Sequence, residues 1–272
     1  MVRLGSFLLA LLIPFAAVIL FMSWSQDDFI FPVHAVGPAP PLAPGAERLQ
    51  VSTADGQTLH GVHIPPARKE AKPKLLILGF GGNAWNGEDV ASYLHDLYPE
   101  AHVVAFHYRG YRPSTGRPSA EALIADAPVI FDEAIKRVKP ERTVVVGFSI
   151  GTGVAASLAE SRDVTGLVLV TPFDSLKKVA GSLYPWLPVG LFFHHEMDAA
   201  GALDGSQVPV AIISAESDEI IPRSRTDALR KLVPNLVLDR TVTRAGHNDI
   251  YQRSEFREAM DEALEAIARK DS

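Results

Sequence analysis

The chain has 272 residues, a net charge of −6 at pH 7 and no cysteine. An acidic chain without a basic cluster is no nucleic-acid binder, and the lack of cysteine excludes disulfides, cysteine nucleophiles and thiolate metal sites. With 47% hydrophobic and 21% charged residues, there is material for the core of one large α/β domain or two small ones.

In chain order, the first element is an apolar run. No charge interrupts LGSFLLALLIPFAAVILFMSW from Leu4 to Trp24; Arg3 precedes it and Asp27 and Asp28 follow. About 20 apolar residues cross a bilayer as a helix. The run is longer than the core of a cleavable signal peptide, and no small-x-small site follows it. Trp24 suits the interface, and lipid-embedded helices tolerate a proline such as Pro14. The expectation is an uncleaved single-pass anchor over residues 1–26. Arg3 would lie on the cytoplasmic side and the remainder on the non-cytoplasmic side. Residues 27–46 include HAVGPAPPLAPGA, which reads as a stiff, extended spacer. A domain of residues 47–272 then begins near Glu47.

RLQVST and QTLHGVHI flank Asp55-Gly56, the signal of a two-residue hairpin. KLLILGF (74–80) is a strand covered on both faces. A helix over 87–97 leads to the strand HVVAFHY (102–108). Ser119 opens a helix that runs to residue 138, with Pro128 as an objection to its continuity. TVVVGFS is the next strand, followed by the small-residue helix GTGVAASLAES. GLVLVTPF (166–173), VPVAIISAE (208–216) and LVLDRTVT (236–243) are three more strands, and a helix over 254–269 closes the chain. The alternation predicts a mostly parallel eight-stranded sheet with helices on both faces.

Gly147-Phe148-Ser149-Ile150-Gly151 falls where a buried strand becomes a helix. In that setting the pattern marks a nucleophile on a sharp turn, and the helix start supplies backbone donors where an oxyanion forms. The alternative is that Ser149 merely caps the helix. A serine nucleophile needs a base, and the base needs an orienting acid. Among the histidines after Ser149, His194 and His195 sit in an excursion between strands, whereas His247 follows the last strand and can return over the serine. For the acid, Asp218 in ESDEIIP precedes the histidine, with Glu216 and Glu219 as neighbours; Asp174, at the end of the preceding strand, competes with it. Asp218 could also be no more than a turn carboxylate before Pro222. The backbone N–H groups of Ile150 and of Asn83 in GGNAWN are the candidate oxyanion donors.

With these blocks in view, the chain resembles the serine hydrolases of the α/β-hydrolase superfamily, in particular the small membrane-anchored ABHD-type, acyl-protein-thioesterase-like members and their bacterial relatives. FGGNAWN (80–86), YRGYRPSTGRPS (108–119), GFSIGTGVA (147–155), TPFDSL (171–176), ESDEIIP (216–222) and GHND (246–249) carry the likeness, in the family's order. Gly81-Gly82 stands where the family usually has His-Gly. The resemblance implies a triad of Ser149, Asp218 and His247 and a short lid over about 174–205. It also implies cleavage of an ester or thioester through an acyl-enzyme, with no metal or cofactor. In the lid, Trp186, Leu187 and Phe192, beside Leu191 and Phe193, are candidates to bind a lipid-like acyl chain or to meet the bilayer; packing onto the sheet is the plainer reading. A peptidase with the same three residues and a non-catalytic, membrane-tethered binding module are the alternatives. The sequence leaves the oligomeric state open.

Overall fold

The computed structural model describes residues 2–39, 41–42, 44–68 and 74–270, with side chains in the first helix from residue 13 onward. Eight strands form one sheet: β1 (Glu47–Ser52), β2 (Thr58–Ile64), β3 (Leu75–Phe80), β4 (His102–Phe106), β5 (Arg142–Phe148), β6 (Gly166–Val170), β7 (Val210–Ala215) and β8 (Leu236–Val242). Their order is β1-β2-β4-β3-β5-β6-β7-β8. β2 runs antiparallel to β1 and β4, and every later pairing is parallel. This is the α/β-hydrolase fold, as expected.

Side-chain alternation along the strands feeds two cores. On β3, Leu76, Leu78 and Phe80 join one core while Ile77 joins the other. The first core is closed by α3 (Ala120–Val138), α4 (Ile150–Ser161) and α8 (Arg223–Leu232), the second by α2 (Gly87–Leu97) and α9 (Ser254–Lys270). Burial on both faces explains the unbroken apolar runs of the parallel strands. Ser119 caps α3 by accepting from the Ala122 N–H at 3.1 Å, and Pro128 lies within the helix without ending it.

Two local details differ from expectation. The hairpin turn is wider than two residues: Thr53 and Gln57 pair across it, the Thr53 N–H donating to the Gln57 carbonyl at 2.9 Å. Gly56 alone takes positive φ, at 81°, which fits a three-residue loop ending in a left-handed glycine. α8 has no counterpart in the sequence reading. Only Thr226 and Leu229 of its ten residues are buried, too few for an apolar period.

The N-terminal segment forms α1 (Val2–Ile30), which continues past residue 26. Among the described residues no helix is long and apolar enough to cross a membrane. The expected span 4–24 falls partly on residues 2–12, whose side chains lie outside the described set. Beyond α1 the chain lies along the domain. Phe31 is 2% exposed, the Gly37 carbonyl accepts from Asn86 Nδ2 at 3.3 Å, and Leu42 packs at the edge of the second core. Residues 40 and 43 of this stretch lie outside the described residues. The lid region holds three short helices, α5 (Leu176–Leu183), α6 (Val189–Phe192) and α7 (Ala199–Ala202).

Arg109 and His107, both buried, are paired. Arg109 reaches Asp126 on α3 through Nε and Nη2, at 3.0 and 2.6 Å, and binds Asp55 in the hairpin turn. His107 is buried, and its Nδ1 accepts from the Gly87 N–H at 3.4 Å, a role only an unprotonated nitrogen can fill. Burial, then His60, lowers its pKa from 6.5 to about 4. The unfolded chain therefore binds this proton more tightly than the folded one. The corresponding stability is complete above pH 6.5 and is lost as pH falls toward 4. His107→Asn, which keeps an acceptor that does not titrate, should flatten the decline of Tm over that window in thermal melts; an unaltered decline would contradict this account.

Candidate active site

The strand order reverses direction about β3: the chain leaves it toward β4 on one side and returns at β5 on the other. In open α/β sheets such a reversal leaves a crevice at the carboxyl ends of the strands. Ser149, at the end of β5, and the loop Gly81–Asn83, at the end of β3, meet there. A Cβ on Gly82 would come within 3.8 Å of the Ser149 Cβ.

The two motif glycines make this proximity possible. A Cβ on Gly151 would strike the Phe80 and Gly81 carbonyl groups, and one on Gly147 would lie 2.5 Å from the Gly151 oxygen. α4 therefore starts directly against the end of β3. The turn leaves Ser149 at φ 51°, ψ −117°, a conformation that side-chain-bearing residues rarely adopt. Its N–H donates to Val170 on the neighbouring strand at 2.9 Å, and its carbonyl accepts from the Thr152 hydroxyl at 2.7 Å. The Ser149 side chain makes no capping bond to α4. Instead its Oγ lies 2.9 Å from His247 Nε2.

On the other side of the ring, His247 Nδ1 is 3.0 and 2.9 Å from the two oxygens of Asp218. Asp218 also accepts from the Ile220 and Ile221 N–H groups at 3.0 and 2.7 Å, so the turn role and the contact with histidine coexist. Asp174 is buried elsewhere, with Lys178 Nζ at 3.3 Å and Arg225 Nη1 at 3.5 Å. The neighbouring acids hold the histidine loop by its backbone. Glu219 accepts from the His247 N–H at 3.0 Å, Glu216 from the Arg244 N–H at 2.7 Å, and Asp249 from the Gly246 N–H at 2.6 Å. In the sequence Glu216 and Glu219 stand only as neighbours of Asp218, with no sign of this supporting role.

Among the described residues, the backbone N–H groups of Ile150 and Asn83 have no protein acceptor. Two tyrosines from YRGYRP pin the loop that carries Asn83: the Tyr108 hydroxyl donates to the Gly81 carbonyl at 2.7 Å and that of Tyr111 to the Asn83 carbonyl at 2.8 Å. Burial raises both phenol pKa values, which keeps them donors. The block was visible in the sequence, but nothing in its pattern announced this task. Below the turn, Trp85 from the same loop packs edge-on to Phe148 and against Tyr251, with ring centroids 5.2 and 5.1 Å apart, which joins the glycine loop to the histidine loop.

Ser149 opens into an apolar cavity of about 290 Å³. Leu187 and Phe192, both named from the sequence, line it with Leu176 and Val179 of α5. Trp186 lies outside the lining and is 59% exposed. His195, in the excursion between strands, is buried, and its Nε2 is 2.7 Å from Asp27 Oδ1. Met22, Gln26, Phe29 and Ile30 of α1 form a further part of the cavity wall.

Comparison with known proteins gives the same class. The family model for the alpha/beta hydrolase fold matches residues 75–207. Uncharacterized protein Rv2307c of Mycobacterium tuberculosis is 32% identical over 240 residues, 86% of this chain and 84% of that one. Lysophosphatidylserine lipase ABHD12 of Danio rerio is 32% identical over 170 residues, 54% of this chain and 44% of that one. Among solved structures, an esterase of Pyrococcus furiosus, Pf2001, superimposes with a TM-score of 0.67 at 19% identity, covering 85% of this chain and 94% of that one. An alpha-beta hydrolase from Vibrio vulnificus gives 0.69 at 17% identity, covering 90% and 91%. At those identities the two structures speak for fold alone. The chain belongs to the alpha/beta hydrolase family, and its class of activity is hydrolase.

The contact between α4 and β3 has a direct test. Gly151→Ala puts a methyl group against two carbonyl oxygens in rigid backbone, and overpacking of this kind costs about 1–3 kcal/mol. Urea unfolding should show a loss of at least that size. A variant as stable as the parent would mean that the approach is looser than described.

Proposed function

We propose that this protein is a serine hydrolase that cleaves carboxylic ester or thioester bonds of lipid-like acyl substrates. The observation that carries the reading is the hydrogen-bonded row Ser149–His247–Asp218, set on a positive-φ turn and facing an apolar cavity. Ser149 Oγ attacks the acyl carbonyl while His247 Nε2 takes its proton. Asp218 holds the ring by Nδ1–H and stabilises the imidazolium. The Ile150 and Asn83 N–H groups receive the oxyanion of the tetrahedral intermediate, as preorganised donors at the start of a helix and in a pinned loop. The imidazolium then returns its proton to the departing alcohol or thiol, which leaves the acyl-enzyme. Water, deprotonated by His247, adds to that ester; Ser149 regains a proton as the carboxylic acid is released.

The cavity wall supports the substrate class. Aliphatic and aromatic side chains dominate it, whereas a peptidase needs partners for the peptide main chain. One similar protein, a lysophosphatidylserine lipase, carries a name that agrees with the reading. A fluorophosphonate probe should label the wild-type chain, which separates a hydrolase from a non-catalytic binding module. Ser149→Ala should abolish labelling and lower hydrolysis of p-nitrophenyl butyrate by several orders of magnitude with an unchanged circular dichroism spectrum. Turnover retained in that folded variant rules the nucleophile out.

A membrane location belongs to the same proposal. The run from Leu4 to Trp24 carries no charge, and where its side chains are described, Leu20, Phe21 and Trp24 are exposed, Trp24 to 84%. Leu191 on the lid is 87% exposed. Large apolar side chains left this exposed suit a lipid contact. In this reading α1 anchors the chain with Arg3 in the cytoplasm and the hydrolase on the other side. Carbonate-washed membranes should retain the native protein with its N-terminus intact; a soluble chain that starts after residue 24 refutes the anchor.

A further inference from the structure

The end of α1 is built to face the domain. Met22, Gln26, Phe29 and Ile30 recur at i, i+4, i+7 and i+8, which places them on one side of the helix. All four line the cavity that contains Ser149. The helix is fixed there by contacts that local sequence does not foretell. Gln26, 5% exposed, spends both ends of its amide on the lid backbone: Nε2 donates to the Phe192 carbonyl at 3.1 Å, and Oε1 accepts from the His194 N–H at 2.9 Å. Asp27 pairs with the buried ring of His195, and Phe31 packs edge-on to that ring, 5.2 Å between centroids. The Ile30 carbonyl accepts from Asn83 Nδ2 at 3.1 Å, so the helix end touches the residue whose N–H points toward the reacting carbonyl in the proposed mechanism. A buried amide with both groups paired acts as a fixed strut, since unpairing either group costs about 1–3 kcal/mol.

We infer that the last two turns of α1 are a wall of the acyl site, which holds the substrate's acyl chain between this helix and lid helices α5 and α6. Leu176, Val179 and Leu183 of α5 and Phe192 of α6 also line the cavity. A cavity of about 290 Å³ divided by the ~30 Å³ liquid share of a water holds roughly ten water-sized groups. That is room for a medium-length acyl chain. The segment that anchors the enzyme in the proposed reading thus also selects what it binds.

The chemistry in this inference rests on Ser149 as the nucleophile, but the wall is tested by binding alone. The probe is decanoate, titrated calorimetrically into the full chain carrying Ser149→Ala in detergent solution. Phe29→Asn removes apolar wall without adding charge, and Phe29 is 60% exposed, so folding does not depend on it. Met22→Trp fills the cavity from the same helix. Each should weaken decanoate binding at least tenfold with unchanged melting. Leu232→Asn, at an exposed position on α8 outside the cavity, should leave binding as it was. A weakened titration in either folded α1 variant supports the wall. Binding within twofold of the parent in both, or a parent that binds no decanoate, overturns it. The two readings fail separately. If no fluorophosphonate labels the wild-type chain while the α1 variants still lose decanoate binding, the hydrolase falls and the wall stands. Labelling with undisturbed binding does the opposite.

Discussion

How near α4 can come to the end of β3 decides the remaining geometry of the site. Without side chains at Gly147 and Gly151, the helix start rests on the Phe80 and Gly81 carbonyl groups. That contact brings the Gly81–Asn83 loop beside Ser149. It also forces Ser149 into a left-handed conformation. Hydrogen bonds to Val170 and Thr152 hold the residue there and offset part of the strain. A serine on a relaxed turn would turn its hydroxyl back to cap the helix, as Ser119 does on α3.

The second requirement is to bring a histidine from 98 residues away into hydrogen-bond distance. A cluster of acids meets it. Three carboxylates of the ESDE segment each take a different donor around the loop Arg244–His247: two take backbone N–H groups and the third takes the ring. Charged acceptors on backbone N–H groups are worth about 1.5–3 kcal/mol each, so the loop is held at several points before the ring is considered. Such supporting bonds hold the imidazole within the narrow tolerance that proton transfer in the proposed mechanism demands.

Much of this was legible in the sequence because it follows from local chemistry. Strands buried on both faces must be apolar throughout, and a glycine-framed serine between strand and helix has few other uses. Ser149, His247 and Asp218 could be nominated from chain order, although Asp174 competed until its pairing with Arg225 and Lys178 was seen. What escaped depends on partners distant in sequence. Gln26 and Asp27 look like the polar end of an apolar run, yet their partners lie 166 to 168 residues away. The tyrosines of YRGYRP stood out as a block while their acceptors, the Gly81 and Asn83 carbonyls, did not. α8 was missed because its ten residues bury only two side chains. Asp55-Gly56 alone suggests a two-residue turn, whereas the Thr53–Gln57 pairing closes a three-residue loop in which only Gly56 takes positive φ.

The strut made by Gln26 has a mechanical consequence. Residues Phe192 to His195 of the lid are tied to α1 by two hydrogen bonds and by the contact of His195 with Asp27. This part of the lid therefore cannot swing open as a free flap. It must either break all three links at once or carry the helix with it as a lever. Any tilt or axial pull on the N-terminal helix is then transmitted to the Phe192 side of the cavity without passing through the sheet.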